Sequence, residues 1–340
     1  MKVALDAQLS VGTATGIGEY VRGLEPALRR RGVDVARLCE PRLDPWRFDR
    51  RVLWDQVLLP LRAKNSGATL LHCAAGTVPR RIGLPIVVTV HDVAWLSVQE
   101  HARAYARYYF GTFSLRRYHR AASIVVDSHF SRNALLPLMR DFDPRRVQVV
   151  YPGVADDFCT LVRNAGDGRT ILVVGTIERR KNLELLVRAL PRLDRARIVA
   201  VGPHTAYAGE CAELARRLNV ADRLEMPGYI SREALLQLHR ECAVVAVPSR
   251  YEGFGYAAAQ ALCAGVPSVV SDRSALPEVV RGDAPVVALG DVDAWVAALG
   301  AALRGDDDAR AAQVRAGAIA RFSWDASAKL MEAIYGAVPQ

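Results

Sequence analysis

The chain has 340 residues, 51% apolar and 24% charged, a balance that fits a globular protein with two cores and excludes the disordered and fibrous classes. Its 45 basic against 36 acidic residues, a formal charge of +9, favour anionic partners such as nucleotides, diphosphate lipids or an acidic membrane surface; without zinc-finger spacing or an RNP-like stretch, nucleic acid is not expected. Six cysteines form no CxxC pair, no run of about 18 apolar residues occurs, and MKVALDAQLS enters a strand without a signal-peptide core, so a reducing cytoplasm is expected, with any membrane contact peripheral.

Short Val- and Ile-rich runs alternate with stretches of helical period, the pattern of parallel sheets covered by helices. Strands are expected at Val3 to Asp6, Val33 to Leu38, Thr69 to Cys73, Ile86 to His91, Ile124 to Asp127 and Val147 to Tyr151. A second series follows at Ile171 to Gly175, Ile198 to Gly202, Leu224 to Met226, Val244 to Val247, Ser268 to Ser271 and Val286 to Leu289. The chain is therefore read as α/β, with two Rossmann-like domains. Pro152 to Arg169, polar and glycine-rich, reads as the linker, which places one domain at 1–158 and the other at 168–323. The last segment, 324–340, has no strand after it and is expected to cross back to the first domain.

Ligands of such sheets bind beyond the carboxyl ends of the strands, where helix N-termini present backbone amides. After the first strand, GTATGIGEYVRGL carries Gly12, Gly16 and Gly18 ahead of a helix starting near Gly18. The spacing matches neither GxGxxG, since Val21 takes the last position, nor a P-loop, so an anion-binding loop and a plain tight turn explain it equally. IVVTVHD ends in His91 and Asp92, a pair that serves either as a strand-end hydrogen bond or at the mouth of a site. Ala104 to Arg120 mixes aromatics with arginines: either Tyr105, Tyr109 and Phe113 pack in the core under a solvated basic face, or the stretch is an interfacial helix.

In VGTIERRKNLELLVRAL, Arg179, Arg180 and Lys181 enter a helix with Asn182 close behind. Cations there oppose the helix dipole unless an anion such as a diphosphate sits among them; the alternative is a solvated basic turn. In VPSRYEGFGYAAAQALCAGVPSVV, the turn Glu252-Gly253-Phe254-Gly255 leads from a strand into a helix at Tyr256 to Ala264. It is expected to aim the amides of Gly253, Phe254 and Gly255 at a ligand, with the Glu252 carboxylate beside them for sugar hydroxyls. Asp291-Val292-Asp293 has the DxD spacing of metal sites but opens a helix, so it reads as an N-cap and no metal is expected.

Taken in order, WDQVLLP at 54–60, TVHD at 89–92, DSHFSR at 127–132, GTIERRKNL, PSRYEGFG and the terminal FSW resemble the retaining glycosyltransferases of family 4 over essentially the whole chain. That family has the GT-B fold, two Rossmann-like domains with parallel sheets facing across a cleft. The WDQ, HD and GT-ERRKN elements are most similar to bacterial polysaccharide mannosyltransferases that use GDP-mannose. The resemblance implies a metal-independent hexosyl transfer, without cofactor, from a nucleotide diphosphate sugar to a saccharide or lipid-linked acceptor at the inner face of the cell membrane. It implies donor-phosphate binding by Arg180, Lys181 and the loop of Gly16 and Gly18. It implies that Glu252, the first Glu of an E-x7-E motif, engages the transferred sugar with Gly253, Phe254 and Gly255, and that His91 lies near sugar and acceptor. Gly228 to Ile230, with Tyr229 and Ile230, match the loop that packs on the nucleobase. The second Glu of the motif is replaced by Gln260, whose amide accepts one ribose hydrogen bond while donating another. Thr176 stands where many relatives carry Arg. Two other readings share these features: a GT-B-like sugar-nucleotide epimerase, and a non-catalytic nucleotide-sugar binding protein, which Gln260 makes conceivable.

Overall fold

The computed structural model describes residues 1–12, 16–94, 107–164 and 166–339. The chain divides into two compact units, Met1–Gly153 with Phe322–Gln340, and Val154–Arg321.

The first unit is built on six parallel strands: β1 Lys2–Asp6, β2 Asp34–Leu38, β3 Leu70–Cys73, β4 Ile86–Val90, β5 Ser123–Val126 and β6 Val147–Val149, in the order β2-β1-β3-β4-β5-β6. The middle strands are buried on both faces, which is why they read as nearly unbroken Val, Ile and Leu. The helix Gly16–Arg30 begins two residues earlier than expected and lays Tyr20, Val21, Leu24, Ala27 and Leu28 against the sheet. Ser323 caps the C-terminal helix Trp324–Gly336, which packs on Gly16–Arg30. The Trp324 ring fills the space left by two glycines: a Cβ at Gly23 would lie 2.0 Å from it, and one at Gly153 2.5 Å. Arg30 to Asp325 (2.9 Å) and Arg31 to Glu332 (2.7 Å) flank this contact at the surface.

The WDQ element lies in a π-helical turn, Trp54–Leu58, inside a continuous rod that runs from Phe48–Leu53 to Leu59–Asn65. All three side chains are structural ties. Trp54 Nε1 donates to Asp6 Oδ1 at the end of β1 (2.9 Å), and Asp55 Oδ2 accepts from Arg51 Nε (2.9 Å) and the Tyr109 hydroxyl (3.0 Å). Gln56 Nε2 donates to that same hydroxyl at 2.9 Å. The aromatic stretch is therefore anchored in the core from Tyr109, which stacks on Phe113 with centroids 5.2 Å apart. Tyr105 lies outside the described residues.

The second unit holds β7 Thr170–Val174, β8 Arg197–Val201, β9 Leu224–Gly228, β10 Val244–Val247, β11 Ser268–Ser271 and β12 Val286–Val287, all parallel, in the order β12-β11-β10-β7-β8-β9. The stretch expected to be a linker, Pro152 to Arg169, departs from that reading, because Val154 onward belongs to this unit. Phe158 explains the difference. It is fully buried on the short helix Asp156–Cys159, under the Arg232 guanidinium at 4.5 Å and the edge of His239 at 4.9 Å. Asp291 Oδ1 accepts from Ala294 N (2.9 Å) and caps the helix Val292–Arg304, as its sequence position suggests.

Candidate active site

In the second unit the chain leaves β7 towards β8 and β9 on one side and then returns to build β10, β11 and β12 on the other. β7 and β10 are therefore neighbours at the point where the strand order reverses, the place where open parallel sheets bind ligands beyond the carboxyl ends of their strands. This topology brings Lys181 and Glu252 together although 71 residues separate them.

Gly175 begins the first of these loops at φ +132, a conformation L side chains rarely adopt, and the Lys181 stem crosses the space a Cβ would take, 3.1 Å away. Arg179–Lys181 forms a separate 3-10 turn rather than the start of the helix, which begins at Leu183 after Asn182 in the left-handed region (φ 56). The three cations then part company. Arg179 turns to Glu210 (2.6 Å) and lies over the Tyr207 ring, away from the others. Arg180 Nη1 donates to the Tyr251 carbonyl (2.8 Å) and Glu252 Oε2 (3.2 Å), while its Nη2 donates to Glu178 Oε1 (2.8 Å). Lys181 Nζ donates to Glu252 Oε1 at 2.6 Å, and Ser249 Oγ donates to the same oxygen at 2.7 Å. The anion needed to offset these charges is thus supplied, in this state, by the chain's own carboxylates.

Glu252 is 7% exposed. Burial pushes its carboxyl up, but Lys181 and Arg180, with the hydrogen bonds from Lys181 and Ser249, outweigh burial and hold it below its ordinary range. The backbone leaves Glu252 through buried Gly253, Phe254 and Gly255, the last at φ +102 as it starts the helix Tyr256–Ala264. Gln260 is buried on that helix. Tyr229 and Ile230 follow β9, on the far side of β8 from β7, with Tyr229 53% exposed.

In the first unit, His91 follows β4 and meets Asp127, which follows the neighbouring strand β5. Its Nδ1 lies 2.7 Å from Asp127 Oδ2 and its Nε2 2.9 Å from the Ala74 carbonyl, so both ring nitrogens face acceptors. Burial opposes the charged ring, but Asp127 and the two hydrogen bonds prevail and raise the His91 pKa. Tyr20 closes the other side, edge-on at 5.0 Å. Gly16 and Gly18 start the helix after the β1 loop; residues 13–15 of that loop lie outside the described residues.

These charges have opposite signs of pH dependence. A raised His91 stabilises the fold below its ordinary value of 6.5 and stops doing so as pH climbs through its folded value. A depressed Glu252 stabilises above its ordinary 4.5 and is lost as pH falls through its lower folded value. Melting temperature should therefore decline at both ends, and Asp127→Asn should remove the alkaline decline. Melting curves of Asp127→Asn that fall with rising pH as steeply as the parent's would contradict this assignment of charge.

Asp127, Ser249 and Glu178 had no role in the sequence reading. Asp127 was visible in DSHFSR, but only the pairing of β4 with β5 brings it to His91; Glu178, two residues before Arg180, meets it within the same turn.

Residues 14–158 match the family model Glycosyltransferase Family 4, and residues 162–318 match Glycosyl transferases group 1. The chain belongs to the family 4 glycosyltransferases. Among relatives of this family, D-inositol 3-phosphate glycosyltransferase of Mycobacteroides abscessus is 31% identical over 282 residues, covering 77% of this chain and 63% of that one. The protein of the same name from Xylanimonas cellulosilytica is 35% identical over 217 residues, 57% of this chain and 52% of the relative. The chain thus matches between half and two thirds of the length of these family members. Two solved glycosyltransferase structures share the fold over nearly all of both chains. They are sucrose-phosphate synthase from Thermosynechococcus elongatus (TM-score 0.76, 22% identity, 98% of each chain) and WaaG, a glycosyltransferase involved in lipopolysaccharide biosynthesis (TM-score 0.74, 16% identity, 98% and 100%). Anabaena HepE, solved with UDP-glucose, is alike at TM-score 0.75 and 15% identity over 99% of each chain. The architecture of this family member is accordingly GT-B.

Proposed function

We propose that the chain transfers a hexosyl group from a nucleoside diphosphate sugar to an acceptor hydroxyl, with the diphosphate leaving against Arg180 and Lys181. The observation that carries this reading is the ion cluster of Arg180, Lys181 and buried Glu252 at the strand-order reversal of the second unit. A diphosphate brings about two negative charges, enough to take over both cations. Glu252, released from them, then holds sugar hydroxyls and counters the positive charge that grows at the anomeric carbon. In the finer reading the anomeric configuration is retained, the acceptor attacking from the face the diphosphate leaves, and the two cations stand in for a metal. The amides of Gly253, Phe254 and Gly255 serve the sugar; Gly16 and Gly18 serve the phosphates; Tyr229, Ile230 and Gln260 serve the nucleoside. His91 is the catalytic candidate set near the sugar and acceptor, its ring held between Asp127 and the Ala74 carbonyl.

GDP-mannose is the favoured donor on the resemblance of the WDQ, HD and GT-ERRKN elements, and the solved relative with UDP-glucose makes uridine donors the comparison. Relatives named for D-inositol 3-phosphate set a phosphorylated polyol beside a saccharide or lipid-linked acceptor. Peripheral contact with a cytoplasmic membrane face is supported by Leu53, Val57 and Leu61, exposed at a helical repeat near exposed Trp46, with Arg47 and Arg50 close by. No helix among the described residues is long and apolar enough to cross a membrane.

The test incubates the full chain with GDP-mannose, UDP-glucose and other nucleotide sugars in EDTA, with and without acceptors and anionic vesicles. One donor should raise the melting midpoint and be consumed with release of its nucleoside diphosphate. Sugar interconversion without that release would assign an epimerase. Binding without turnover, with turnover restored by Gln260→Glu, would assign a binding protein, and inertness towards every donor would defeat the reading altogether.

A further inference from the structure

Cys159 ends the short helix Asp156–Cys159 that opens the second unit, and Cys263 lies near the end of the helix Tyr256–Ala264. The two helices pack together and set the Cys263 thiol beside that of Cys159, whose own Sγ donates to the Val154 carbonyl at 3.9 Å. One guanidinium holds both backbones in place: Arg315 Nε donates to the Cys263 carbonyl (3.1 Å), and its Nη2 donates to the carbonyls of Cys159 (2.7 Å) and Leu161 (2.8 Å). Cys263 is fully buried, whereas Cys159 is half-buried and within reach of solvent.

The hydrogen bond from Cys263 lowers the Cys159 pKa, with help from the Arg315 charge, against the opposing effects of burial and of Asp156 and Asp157. Asp157 is itself paired with Arg232 at 2.7 Å, which blunts its share. Cys263 is shifted the other way, upward, by the same hydrogen bond and by burial. An accessible thiol that ionises readily, next to a buried partner that does not, is the arrangement in which one sulfur is oxidised and the other resolves it.

We propose that Cys159 and Cys263 form an oxidisable thiol pair that reacts with hydroperoxides to give an intramolecular disulfide within the second unit. The Cys159 thiolate attacks the outer peroxide oxygen, breaking the O–O bond; with one proton taken up, the peroxide leaves as an alcohol or water and Cys159 becomes a sulfenic acid. The Cys263 sulfur then attacks Cys159 sulfur and expels the hydroxyl, which departs as water with the Cys263 proton. Two thiols lose two electrons and one hydroperoxide gains them. The product ties the opening helix of the unit to the helix that carries Gln260 and begins at the Glu252 turn.

The test treats the folded full-length protein with hydrogen peroxide, blocks free thiols, and maps peptides without reduction. The expected result is loss of two of the six free thiols, a mass about 2 Da lower, a single bridge between the Cys159 and Cys263 peptides, and full reversal by dithiothreitol. Cys263→Ser should leave Cys159 trapped as the sulfenic acid, labelled by dimedone, where the parent is not labelled. Six thiols surviving peroxide in the parent, or a bridge mapped to other cysteines, would overturn the proposal; neither readout depends on glycosyl transfer.

Discussion

Lys181→Ala is expected to lower kcat/KM for the nucleotide sugar by about 10²- to 10³-fold, most of it in kcat. The ammonium would face charge that develops as the diphosphate departs, so its stabilisation is larger in the transition state than in the bound donor. Its present partner is Glu252, at 2.6 Å, and the substitution leaves that carboxylate with Arg180 at 3.2 Å and the Ser249 hydroxyl at 2.7 Å. Glu252 is therefore still compensated, and the loss should appear in turnover more than in melting temperature. Glu252→Gln makes the complementary case. It keeps the size of the side chain and removes the charge between two cations, so donor affinity should hold or rise while kcat falls. Steady-state kinetics with the preferred donor decide the matter. A Lys181→Ala enzyme with kcat/KM within about threefold of the parent would mean that the cluster is only an internal ion network, since the expected stabilisation by one such group is about 3 kcal/mol.

Trp324→Ala should destabilise the first unit by about 3–5 kcal/mol, in the range of large aromatic truncations in cores. The ring is 7% exposed, lies edge-on to Tyr20 at 5.8 Å, and fills the space above Gly23 and Gly153. Neither glycine can reach into the void that the truncation leaves. The converse changes should also fail: a Cβ at Gly153 meets both the ring at 2.5 Å and the Trp324 backbone nitrogen at 2.6 Å, which cannot move aside as a flexible side chain would. Calorimetry should show the transition of the first unit lowered, with that of Val154–Arg321 unchanged. A Trp324→Ala protein within about 1 kcal/mol of the parent would show that the C-terminal helix is held by its surface ion pairs instead.

The middle strands of each sheet were legible because strands buried on both faces must be apolar throughout; β2, β6, β9 and β12 at the sheet edges are partly exposed, and the strand bounds among the described residues differ from expectation mostly by a residue or two. The linker was misjudged for a related reason. Between Pro152 and Arg169 the polar residues outvote Phe158 and Leu161, and burial of single residues leaves no periodic trace. Asp291 was legible as a cap because capping is local, settled within three residues by a side chain and a backbone amide. The basic turn was legible only in composition. That Arg179 belongs to Glu210 and its two successors to Glu252 depends on backbone directions in a 3-10 turn ended by Asn182.

What the sequence determined by itself was therefore what is periodic or short-ranged: two α/β units, their strands and caps, and the motifs that mark the family. Tertiary structure alone decided which distant groups meet. The order β12-β11-β10-β7-β8-β9 makes neighbours of β7 and β10 and so joins Lys181 to Glu252; the neighbouring of β4 and β5 joins His91 to Asp127; and helix packing joins Cys159 to Cys263. Such contacts bridge many tens of residues. Their energies come from charge and desolvation at short distance in space, for which separation along the chain carries no signal.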